Sequence, residues 1–379
     1  MLPSQIVCNL AGKIIGDLPF APGTRLHPLR SALLCLTLGL AAAAPAAAPR
    51  ITPTPSATPW DGLSANAMQQ LEDSQDAYNN LDFDRSKTLA EAVMAQYPDH
   101  PLPRIFLMGA EVTEIQEVLL AHGDKKALFQ DFNKLSDDTV ALAQQRDHLS
   151  PTAYTKFYVG GSRGARGLVQ LYEGNYREAY YDGRDADLAL RSALATDPTL
   201  TEAWLGVGQY DYYTGRMAGL LRFILRLNGD VGKGISELEL CSAHPSFTTI
   251  ASRLCLARVY CLEVVNYPKA LPYVQDVYAR YPNTYWTVQM ALADAKGLGL
   301  ANPDAQALLE SVFKQWDAGW RPPVYVKMDP EPLRLELAKV YKQEGQKEKA
   351  FEHFKVLAAS TQPRIAELAG KELVDFKGD

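Results

Sequence analysis

Apolar residues recur three and four positions apart over long stretches of this chain. Gly and Pro interrupt them, and no run alternates apolar with polar residues. From Leu63 to Phe376 this spacing predicts helices throughout and no core strand. The one extended stretch, residues 321–332, carries so many prolines that it reads as a loop crossing. Three segments share a spacing of one small residue, a second apolar residue four on, and a third three further. These are Ser86, Ala90 and Val93; Ala270, Val274 and Val277; and Ala350, Phe354 and Leu357. Gly174, Tyr176 and Ala179 open a fourth segment, followed by Gly183 and Ala186. Its Pro198 comes seven residues late, two helical turns, so the insertion lengthens the helix while nearly keeping its face. Trp204, Val207 and Gly208 fall on one face of a further helix over 201–215, where the Gly lets a partner helix approach. Gly215 is expected to end that helix as a left-handed cap.

Two-helix units of this kind cannot bury their apolar faces alone, so they must stack into an array. The helix 201–215, entered through Asp197-Pro198, resembles the first helix of a tetratricopeptide (TPR) repeat. The small–large–large segments resemble its second helix. The resemblance covers 160–215, 251–283 and 331–363, extends to 64–98, and reaches 101–150 by helical continuity. It fails at 216–250, which lacks the landmarks. The order GGSRGARG, LYEGNY, VGQYDYY is also similar to divergent TPR proteins related to inclusion-body clearance factors. The implied fold is all-α: a right-handed α-α superhelix, a TPR-like solenoid of stacked antiparallel helix pairs over 61–379.

The ends change the picture more than the composition does. Residues 31–44, SALLCLTLGLAAAA, follow Arg25, His27 and Arg30 and read as the apolar core of a secretory signal, with Ala41 and Ala43 at a small-x-small cleavage site. Residues 1–44 are therefore expected to be a signal with an over-extended start, and 45–60, rich in Pro, Thr and Ala, a linker. This predicts an exported, periplasmic or envelope-associated protein with no stable membrane insertion after cleavage. The formal net charge of −6 and the lack of a basic domain argue against nucleic acid as a partner.

Candidate chemistry is sparse. Gly160-Gly161-Ser162-Arg163-Gly164 matches the hydrolase nucleophile elbow, but that motif needs a strand before the Ser; helix-contact glycines explain the pattern better. Gly229–Gly234 lacks the order of a phosphate loop. The six His make no metal-binding spacing, so neither metal nor cofactor is expected. Cys241, Cys255 and Cys261 read as buried free thiols. Residues 216–227, RMAGLLRFILRL, could lie on a membrane surface. Burial in the solenoid, with Arg222 and Arg226 paired to Asp211 or Asp230, is the expectation preferred here.

With no catalytic set, the expected function is a monomeric scaffold, not an enzyme, that binds a protein or peptide. The resemblance to TPR proteins places the partner in the concave groove. It makes Glu202, Leu205, Gln209, Tyr212 and Tyr213 the inward residues of 201–215, and Leu335, Lys339, Lys342 and Gln343 their C-terminal counterparts. The alternatives are a helical hydrolase or lyase with its site in the groove, and a signal-anchored membrane assembly factor.

Overall fold

The computed structural model describes residues 60–120, 126–217, 219–323 and 326–376. The expected signal and nearly all of the linker lie outside the described residues. Trp60, the last linker residue, is packed against Tyr154, Phe157 and Phe247.

Among the described residues the helices form seven antiparallel pairs and a closing helix. The first three pairs are α1 (Ala65–Asn79) with α2 (Phe83–Gln96), α3 (Pro101–Leu120) with α4 (Lys126–Leu149), and α5 (Ala153–Glu173) with α6 (Tyr176–Thr196). The fourth pairs α7 (Ala203–Gly215) with α9 (Val231–Ala243), the short α8 (Gly219–Ile224) lying between them. Then come α10 (Thr249–Arg258) with α11 (Tyr267–Arg280), α12 (Tyr285–Leu298) with α13 (Pro303–Asp317), and α14 (Glu331–Gln343) with α15 (Lys347–Ala358). The array closes on α16 (Pro363–Asp375). Apart from α8, each helix packs on its neighbours along the chain, and α1, α3, α5 and α7 also touch in succession, forming an inner row. The molecule is an all-α, TPR-like solenoid.

The repeat spacing has a direct packing cause. Ala90, Val93, Ala270, Val274, Val277, Ala350, Phe354 and Leu357 are all buried. Ser86 meets Ser74 of α1 with hydroxyls 3.0 Å apart, a contact that a larger residue would prevent. The late Pro198 acts as expected: α6 runs 21 residues where α2 and α11 run 14. Side-chain caps start many of the helices, among them Ser64, Asp82, Thr152, Asp230, Asn266, Thr284 and Asn302. Ser162 lies buried inside α5, its hydroxyl donating to the Tyr158 carbonyl at 2.7 Å, so no nucleophile elbow exists there. A Cβ on Gly160 would stand 2.5 Å from Leu190 Cγ, which is the helix contact expected of that glycine.

Two expectations are corrected. Gly215 is not a left-handed cap: it lies within α7, and a Cβ there would stand 2.7 Å from the Val231 backbone nitrogen. The stretch 216–250 is not a break in the repeat. Its second half is α9, a full partner of α7, displaced along the chain by an excursion over 216–230. The α7–α9 crossing is so close that a Cβ on Gly234 would lie 2.4 Å from the Tyr212 nitrogen.

The array also curves back on itself. Phe247, in the α9–α10 turn, packs on Trp60 ahead of α1, Phe106 of α3 and Phe157 of α5. The Tyr281 hydroxyl, in the α11–α12 turn, donates to Asp76 Oδ1 at 2.6 Å and accepts from Asn79 Nδ2 at 3.3 Å. The turn before the fifth pair thus meets Trp60, α3 and α5, and the turn after it meets α1 of the first pair.

Candidate partner-binding face

The inward residues expected on α7 meet different fates. Tyr212 is fully buried. Its hydroxyl donates to Glu263 Oε2 at 3.0 Å and accepts from Arg216 Nη1 at 2.9 Å. Tyr213 is half-buried, its hydroxyl accepting from the Arg258 guanidinium, which also lies over its ring. Gln209 reaches the Cys255 thiol, and Leu205 packs half-buried on the C-terminal core. Burial pushes the Glu202 carboxyl up to about 7. On α14, Leu335 is buried, Lys339 and Gln343 are exposed, and Lys342 Nζ lies 2.7 Å from Glu372 of α16. The α7 and α14 sets sit three pairs apart, so the fold does not gather them into one site.

What the fold does gather includes residues that sequence reasoning missed. Arg216 Nε and Arg258 Nε flank the Glu263 carboxylate at 3.9 Å and 3.5 Å. Two guanidiniums share one carboxylate, which leaves a local excess of positive charge beside Tyr213. Burial and the Glu263 charge push the Tyr212 phenol up, so it stays protonated and keeps donating. Tyr172 of α5, which accepts from Gln116 Nε2 at 2.8 Å, lies close enough to Arg258 to feel its charge. Glu263 reaches this place because α10 ends in a π-turn, Val259–Glu263, followed by left-handed backbone at Val265 (φ 56°). RVYCLEVV reads as continuous helix, so nothing local announces that turn.

The other candidates resolve simply. Cys241, Cys255 and Cys261 are free and buried, with burial pushing their thiols up to about 11, 12 and 12. Asp230, in the glycine-rich turn, caps α9 by accepting from the Lys233 nitrogen at 2.8 Å. The expected pairing of Arg222 and Arg226 with Asp211 or Asp230 is absent. Asp211 is taken by Arg191 at 2.7 Å and Lys233 at 2.8 Å, and Arg222 instead donates to the Gly215 and Gly229 carbonyls. The excursion is buried only in part: Leu227 is buried, whereas Phe223 is 83% exposed.

No family model matches the chain, and no curated protein is significantly similar to it. Solved structures with a similar course include two described as tetratricopeptide repeat proteins. The human IFIT1 dimer with PPP-AAAA is 14% identical over 78% of this chain and 64% of that one, with a TM-score of 0.38. The C-terminal part of a TPR repeat-containing protein from Cytophaga hutchinsonii is 16% identical over 79% of this chain and 98% of that one, with a TM-score of 0.34. A tetratricopeptide repeat protein from Parabacteroides merdae is 14% identical over 81% of this chain and 98% of that one, with a TM-score of 0.26. These likenesses carry no inference about ligand or activity. The class rests on the chain's own helix pairs.

Proposed function

We propose that this chain is an exported scaffold, without catalysis of its own, that holds a protein or peptide against the inner row of its solenoid. The observation that supports this reading is the set around Glu263: two arginines to one carboxylate, beside the half-buried Tyr213. Such a surface offers guanidinium donors to acidic side chains or backbone carbonyls, and an aromatic face with little rotamer entropy to lose. Tyr212 serves the set by holding Glu263 and Arg216, while Tyr213, Gln209, Leu205 and Glu202 form its edge. Lys339 and Lys342, three pairs away on α14, meet a more distant part of the partner. Crosslinking in the native cell, followed by mass spectrometry of what is attached, tests the proposal. A protein crosslinked through the inner row, and lost with Arg258→Ala at unchanged melting temperature, is the expected result. Crosslinks confined to the outer helices would refute it.

A further inference from the structure

The excursion between α7 and α9 is firmly built. Arg222 fastens its neck, donating to the Gly229 carbonyl at 2.6 Å and the Gly215 carbonyl at 3.3 Å. The Tyr180 hydroxyl of α6 holds its far side by donating to the Leu225 carbonyl at 2.8 Å. From this anchored loop Phe223 projects almost wholly into solvent. Arg226 beside it is exposed on left-handed backbone (φ 51°), at the cap that ends α8, where the Leu227 nitrogen donates to the Arg222 carbonyl at 2.9 Å. Arg222, Phe223, Arg226 and Leu227 line an open cleft of about 790 Å³.

The charge of this segment runs against the chain. Residues 216–229 hold three arginines and no Asp or Glu in a protein of net charge −6. Among the described residues, no carboxylate pairs with Arg222 or Arg226. Beside the loop, Tyr180 and Tyr181 stack edge to face, and Arg177 lies over the Tyr181 ring. An apolar tip ringed by unneutralised cations and flanked by tyrosines matches the layering of a bilayer surface: hydrocarbon for the Phe, phosphates for the arginines, the interface for the phenols. A small free anion would leave Phe223 uncovered. We propose that the 219–230 part of the excursion is a peripheral docking site for anionic phospholipid bilayers, with Phe223 as the wedge and Arg226 as its charged partner. The inner row then stays open to its own ligand while the rim rests on the membrane.

Hydrogen exchange of the full chain, read on peptides spanning 216–230, tests this locally and separately from the apolar stretch near residue 40. Vesicles of phosphatidylglycerol and phosphatidylcholine in about a 1:2 ratio are expected to slow exchange in 219–227, and pure phosphatidylcholine to leave it unchanged. Raising the salt concentration should restore fast exchange. Phe223→Ser with Arg226→Ser should weaken the protection about tenfold in apparent affinity and leave the melting temperature unchanged. Leu149→Ser removes another exposed apolar side chain, 74% exposed, at the opposite rim where α4 turns into α5, and should change nothing. Unprotected exchange in 216–230 with anionic vesicles, equal protection by phosphatidylcholine, or full protection in the double variant would each overturn the proposal.

Discussion

Gly234 and Gly183 show how differently one residue type is used in this chain. A Cβ at Gly234 would run into backbone of α7, whereas a Cβ at Gly183, inside α6, meets nothing within 4 Å. Gly234→Ala should therefore destabilise by about 1–3 kcal/mol or more. Gly183→Ala should stabilise by about 0.5–1 kcal/mol through the helix entropy that glycine forfeits. Thermal melts of the two variants check the contrast, and equal shifts would contradict the α7–α9 crossing. Gly215 was misread in the sequence because a glycine at the end of a helix pattern normally marks a left-handed cap. Here the identity of the residue was legible, but its reason lies in Val231, on the far side of an insertion. Asp294 makes a second residue-scale case. It is fully buried, neither carboxylate oxygen has a hydrogen-bond partner among the described residues, and burial raises it to about 7. The folded state thus binds a proton that the unfolded chain releases near its usual value of 3.8. Its contribution to stability rises as pH falls from about 7 toward 4, and is lost above 7. Asp294→Asn should raise the melting temperature most at pH 8 and bring the two melting curves together only by about pH 4. A constant difference across that range would refute the assignment.

At the scale of elements, the second helices were the most readable part of the fold. Their small–large–large spacing is a local consequence of packing between neighbouring helices. The partner-facing set was not, since Arg216, Arg258 and Glu263 meet only because a π-turn re-aims the end of α10 over α7. The spacing that placed Tyr212 and Tyr213 on one inward face could not tell that Glu263 would reach over the first and leave the second nearer the surface. The two tyrosines should accordingly separate. Tyr212→Ala removes a fully buried ring and leaves Glu263 and Arg216 short of a partner, at a cost of about 3–5 kcal/mol. Tyr213→Ala should melt close to the parent and weaken partner binding by about tenfold or more. Melting each variant and titrating it with the crosslinked partner distinguishes them. A Tyr213→Ala protein that melts as low as Tyr212→Ala would make both residues core.

At the scale of the whole molecule, helical repetition was legible but its curvature was not. Curvature accumulates from small rotations at each pair, and no residue encodes the sum. The contacts it produces, Phe247 with Trp60 and Tyr281 with Asp76, join segments about two hundred residues apart or nearly so. Phe247→Ser should loosen that closure, seen as a larger radius of gyration in small-angle scattering with helical content unchanged; an unchanged radius would show that the pairs set the curvature alone. An open array of stacked pairs behaves as a spring, since each joint flexes independently and the ends drift apart at little energetic expense. Tying the first pair to the fifth makes the intervening joints move together, because no single one can bend without straining the tie. The mechanical unit of this protein is then a hoop of five pairs, followed by a compliant tail of two pairs and α16. Pulling on the chain should release the tail in small steps and the hoop in one.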